Sequence, residues 1–134
     1  MHFRLGTRAK AETIQAEAAA QGWRCFHLDG ETIVDKASFL AACQAAFALP
    51  DYFGNNWDAL EECLNDLAWA PATGYIVLYD NVANFAAPDP TNWGTALYIL
   101  RDAAGNWGHA GTPMVVLLRQ AGHLEQPVPD LPEQ

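Results

Sequence analysis

The sequence predicts an α/β domain: a small three-stranded parallel β-sheet packed with helices. Two short runs, residues 75–79 and 114–118, are almost wholly apolar or aromatic, as strands covered on both faces are, and the more mixed run 23–28 reads as a third strand. Segments with helical spacing lie between them. Each interval is also long enough for the crossover that parallel neighbours require. The chain has 134 residues, 51% of them apolar and 17% charged, enough to bury a core without disulfides or a metal.

Residues 1–6 read as a short strand or a loose end. Residues 7–21 are rich in Ala, Glu and Gln and predict a helix, with Thr7 as N-cap and Gly22 as stop. Its apolar face is thin, Ile14 and alanines, so it is expected to lie on the surface. The first strand turns at Asp29-Gly30, with Gly30 expected at positive φ. Asp35 caps a helix to about Phe47 whose inward face is Phe39, Leu40, Cys43 and Phe47. Pro50 and Gly54, the latter again expected at positive φ, form a turn. Asn55 or Asn56 then caps a helix over residues 57–67. After the second strand, one helical turn is expected around Val82–Phe85. A helix over about 93–104 follows, capped by Thr91 or Asn92 and stopped at Gly105-Asn106. The third strand closes a single domain over residues 1–120. Pro127, Pro129 and Pro132 predict a flexible tail over 121–134.

Charge is unevenly placed. Seven Lys and Arg against sixteen Asp and Glu give a net charge of −9. Between Lys36 and Arg101 there is no basic residue but seven acids (Asp51, Asp58, Glu61, Glu62, Asp66, Asp80, Asp89), so that interval carries −7. Such a chain lacks the clustered Lys and Arg needed for direct binding to nucleic acid or an anionic membrane. The balance fits a basic protein partner, and it fits plain solubility as well. Three cysteines, Cys25, Cys43 and Cys63, are odd in number and far apart, which suggests reduced buried thiols rather than a disulfide framework or zinc site. With no signal-peptide pattern and no apolar run of membrane-spanning length, the cytoplasm is the expected location.

The helix beginning at Trp57 has two unlike faces. Trp57, Leu60, Cys63, Leu64 and Leu67 fall on one side. At 100° per residue Asp58, Glu61, Glu62 and Asn65 span about 100° of the other, with Asp66 at the edge. A solvated helix face usually mixes signs, because like charges four apart cost roughly 0.2–0.5 kcal/mol. Here Asp58–Glu62 and Glu62–Asp66 are both acid pairs at that spacing, and Asp66 opposes the dipole at the helix end. Helix formation does not favour this pattern, whereas binding to a basic partner would. Tyr52, just before the helix, suits an interface anchor; Trp57 suits the core.

Catalysis fits poorly. Carboxylates working as acid and base need environments that separate their pKa values, which an open stripe does not supply. No nucleophile-elbow, metalloprotease, P-loop, dinucleotide or EF-hand pattern occurs, and the four histidines are scattered. No enzymatic activity and no cofactor is expected.

The run Leu49-Pro50-Asp51-Tyr52-Phe53-Gly54-Asn55-Asn56-Trp57-Asp58-Ala59-Leu60-Glu61-Glu62-Cys63-Leu64, with Leu28-Asp29-Gly30 upstream, resembles the barstar family, bacterial intracellular inhibitors of the secreted ribonuclease barnase. The likeness covers roughly residues 23–119 and leaves the first helix and the tail outside. It implies a three-stranded parallel sheet and a non-catalytic inhibitor that plugs a ribonuclease active site with one helix and the loop before it. By this resemblance Tyr52 and Asp58 match interface positions, and Glu62 matches the acid that sits in the enzyme's phosphate site. Asp102 matches an outlying acidic contact. Glu61 stands where the family has tryptophan, Asn65 where it has threonine, and Leu67 where another tryptophan lies. The expected partner-binding set is therefore Tyr52, Asn56, Asp58, Glu61, Glu62, Asn65, Asp66 and Asp102. The expected partner is a basic, extracellular-type ribonuclease like barnase, or a related toxin. The alternative is a non-inhibitory interaction module of the same fold that binds another basic protein.

Overall fold

The computed structural model describes residues 9–50, 56–120 and 123–124. In chain order the elements are α1 (Ala11–Ala20), β1 (Arg24–Asp29), a 3-10 turn (Gly30–Thr32), α2 (Lys36–Ala46), α3 (Trp57–Asp66) and β2 (Tyr75–Asp80). There follow α4 (Ala83–Ala86), α5 (Pro90–His109), β3 (Met114–Gln120) and β4 (His123–Leu124). Strand order is β1-β2-β3-β4. The first three strands are parallel and in register, so Arg24, Tyr75 and Met114 start a row that ends with Asp29, Asp80 and Arg119. To the expected three strands the structure adds β4, whose two residues pair antiparallel with β3 inside the segment expected to be a tail.

The pleat divides the strand side chains between two cores. Phe26, Leu28, Tyr75, Val77, Tyr79, Met114, Val116 and Leu118 pack against α2, α3 and α5. Ile76, Leu78, Val115 and Leu117 point the other way and meet Ile14 and Ala18 of α1, with Trp23. The thin face of α1, together with Trp23, thus packs on the second side of the sheet. Ile14 is 1% exposed, a burial worth roughly 2 kcal/mol.

Local chemistry explains most boundaries. Asp35 caps α2 by accepting from Ser38 N at 2.8 Å while Ser38 Oγ accepts from Asp35 N, a reciprocal box. The Ser38 hydroxyl, which donates to Asp35 Oδ1 at 2.7 Å, and the Ser38 backbone N–H together hold the Asp35 carboxyl below its ordinary pKa.

Three sequence expectations are corrected. Gly30 is not at positive φ; among the described glycines that distinction belongs to Gly22 and Gly111. A Cβ at position 30 would instead collide with the carbonyl oxygens of Asp80 and Asn81, so glycine is needed there for close approach. The cap of α5 is Asp89, not Thr91 or Asn92, and Pro90 occupies the first helical position, where its missing N–H costs nothing. Nor does α5 stop at Gly105-Asn106. It continues to His109 because Trp107 packs on Tyr75, with ring centroids 5.1 Å apart, and donates its indole N–H to Leu64 O. Just past the Ala110 C-cap the chain turns at Gly111, at φ +93°, and Thr112 N closes on Trp107 O. Thr7, Tyr52, Gly54 and Asn55 lie outside the described residues.

Candidate partner-binding face

The α3 helix carries the candidate site. Asn56 starts it: its Oδ1 accepts from Ala59 N at 2.8 Å, so this side chain already serves as N-cap. Leu60, Cys63 and Leu64 bury the inner face, and Trp57 is half-buried against Phe39. The ammonium of Lys36 lies 5.4 Å from the Trp57 ring centroid. Leu67 ends the helix in the left-handed region at φ 48° while its side chain is fully buried. Such a conformation costs a non-glycine residue roughly 1–2 kcal/mol, which the burial offsets.

On the outer face Asp58, Glu62, Asn65 and Asp66 are exposed, and Glu61 is half-buried. The ion pairs among the described residues, His27–Asp80 and Arg119–Asp80, involve none of the acids of α3. The negative field of this face reaches the thiol behind it: burial pushes the Cys63 pKa up, and Glu62 and Asp66 push it further.

Helix α5 brings Asp102 into the same neighbourhood. Asn106 Nδ2 donates to Asn65 Oδ1 at 2.8 Å and lies 3.3 Å from Asp102 Oδ2. Asn65 Nδ2 donates back to Glu61 O at 2.7 Å. Asp102, Asn106 and Asn65 thus form a polar bridge between the helices. Asn106 lies inside α5, past the expected stop, and the sequence signal for this is Trp107, which extends the apolar series of Leu100 and Ala103 by one more turn.

One cleft, about 580 Å³, lies beside β1 and is walled by Trp23, Phe47 and Trp69; another, about 400 Å³, lies between the end of α5 and the start of β3. Neither is lined by an acid of α3. Among the described residues no three His, Cys, Asp or Glu side chains converge as a metal site requires.

A second polar cluster lies on the α1 side of the sheet. Arg119, 4% exposed, holds both Asp80 oxygens and donates to Ala9 O at 2.6 Å, just ahead of α1. His27 Nε2 is 2.8 Å from Asp80 Oδ2. Burial raises the Asp80 pKa, but the hydrogen bonds and charges of Arg119 and His27 outweigh it and hold the carboxyl below its usual range. This cluster fastens the start of α1 to the strand ends and is remote in the fold from α3.

The fold and its outer helix define a class: an α/β domain that presents a one-signed acidic helix beside a second helix. Residues 23–119 match the family model described as Barstar (barnase inhibitor), and the chain belongs to the barstar family. The match begins after α1 and ends within β3. No curated protein matches the chain. Among the described residues, no helix is long and apolar enough to cross a membrane.

Proposed function

We propose that this protein binds a basic ribonuclease of the barnase type and blocks its active site with α3 and the loop before it. One observation carries the reading: in a member of the barnase-inhibitor family, α3 exposes acids that pair with no cation among the described residues. Asp58 and Glu62 take the place of RNA phosphates against the enzyme's Arg, Lys and His, with Glu62 in the phosphate-binding position. Tyr52 anchors one side, and Asp102 extends the contact onto α5. Glu61, Asn65 and Asp66 complete the rim, while Asn56 holds the helix start. No bond is made or broken; inhibition is occlusion. The reduced thiols Cys25, Cys43 and Cys63 favour the cytoplasm as the place of action.

Glu61, where the family has tryptophan, favours a partner whose cleft differs from that of barnase itself. Barnase and other basic microbial ribonucleases should therefore be assayed together for loss of RNA cleavage on adding the protein. Stoichiometric inhibition that associates more slowly as salt rises supports the reading. Full cleavage by every enzyme at micromolar protein contradicts it.

A further inference from the structure

The length of α5 beyond residue 104 supplies a side chain that belongs to both helices of the acidic face. Asn106 gives its amide to Asn65 on α3, and Asp102 one turn back on its own helix lies within hydrogen-bond reach. Asn65 is held at both ends, since its Oδ1 accepts from Asn106 and its Nδ2 donates to Glu61 O. An exposed amide at a helix surface would otherwise sample several rotamers. Trp107, the next residue, fastens the same turn of α5 to Leu64 O, so the strut stands on a fixed base.

The choice of carboxamide is itself informative. Lys or Arg at position 106 would also reach Asp102, but would add a positive charge to a face whose value lies in its negative field. Asparagine provides an N–H donor with no charge. It relieves Asp102 and orients Asn65 while leaving the field intact.

We propose that Asn106 is a positioning residue of the partner-binding face: it fixes Asn65 and ties Asp102 to it, so that α3 and α5 meet a basic ribonuclease as one surface. This rests on the functional reading above. A face already ordered loses less side-chain freedom on association. Because Asn106 is neutral, its removal leaves electrostatic steering unchanged and acts on dissociation.

The test compares wild type, Asn106→Ala and Asn106→Gln, using barnase and the other basic ribonucleases as probes. In Asn106→Ala the dissociation rate rises about two- to tenfold, the range that one exposed hydrogen bond spans. The association rate and its salt dependence stay the same. Melting temperature changes little, since alanine's better helix propensity offsets the lost hydrogen bond. In the free protein the Asn65 side-chain amide resonances shift and lose protection from hydrogen exchange. Asn106→Gln, which keeps the donor, recovers part of the slow dissociation. Unchanged dissociation in Asn106→Ala, or an Asn65 amide insensitive to it, overturns the role of Asn106 alone. Wild-type protein that binds none of the ribonucleases overturns the functional reading, and the role goes with it.

Discussion

The indole N–H of Trp107 on α5 donates to the carbonyl of Leu64, in the last turn of α3, over 2.8 Å. Carbonyls there have no partner within their own helix, so one helix caps the other. Trp107→Phe keeps a ring against Tyr75 but removes the donor. We expect a loss of roughly 1–2 kcal/mol in urea unfolding. An unchanged midpoint would mean that water replaces the indole at no cost.

The Asp80–Arg119 pair predicts a pH dependence with a definite sign. A carboxyl held below its unfolded pKa contributes stability that is complete above that unfolded value, about 3.9, and is lost as pH falls through the folded value. Asp80→Asn cannot ionise and removes the carboxylate that the buried Arg119 guanidinium holds. It should be less stable than wild type by roughly 3 kcal/mol at pH 7. The gap should narrow as pH falls below about 4. Unfolding free energies measured from pH 7 to pH 3 decide this; a constant gap would count against Asp80 as the ionised partner.

Two groups of glycines lead to opposite expectations. At Gly94, Gly105 and Gly108, all within α5, a Cβ would meet nothing within 4 Å. Each replacement by alanine should raise stability by roughly 0.5–1 kcal/mol. Gly30→Ala should do the reverse, because its Cβ would strike the Asp80 and Asn81 carbonyls. Thermal melts of the four variants test the division; a destabilised Gly94→Ala would contradict it.

The three thiols should be sluggish nucleophiles. Burial pushes the Cys25 pKa up to about 12, against an opposing pull from Arg119 and with a further push from Asp80. Burial also raises Cys43, and burial with Glu62 and Asp66 raises Cys63. The thiolate is the reactive form, so at pH 8 a disulfide reagent should label the folded protein far more slowly than the unfolded chain. Rapid labelling of one thiol in the folded state would refute the burial argument at that site.

β2 and β3 were legible because both their faces are buried, which leaves a continuous apolar run in each, and β1 was legible from its mixed but β-prone run before the Asp29-Gly30 turn. Asp35 and the two faces of α3 were legible because caps and periodicity are local signals. Other features depend on residues far apart in the chain. Gly30 looks the same in sequence whether it serves a turn or, as here, makes room for the β2 end. The thin face of α1 gave no hint that Ile14 and Ala18 join Trp23 in a second core, because the β2 and β3 residues they meet lie far along the chain. His27, Asp80 and Arg119 have no common motif and meet only when three parallel strands align. Asn106 looked like a helix end because its partner, Asn65, is 41 residues away. The acidic stripe itself was readable, and its significance came from the family likeness.

The central claim concerns Glu62 and is tested most directly by the dissociation constant for whichever basic ribonuclease the wild type inhibits. Glu62→Ala should be compared with Glu17→Ala, which removes the same charge from the exposed side of α1. Removing a carboxylate that is desolvated against cations in a cleft costs roughly 2–5 kcal/mol, so Glu62→Ala should weaken binding by about 30-fold or more. Glu17→Ala should leave it nearly unchanged. Equal affinities for wild type and Glu62→Ala would contradict the assignment of Glu62 to the phosphate site.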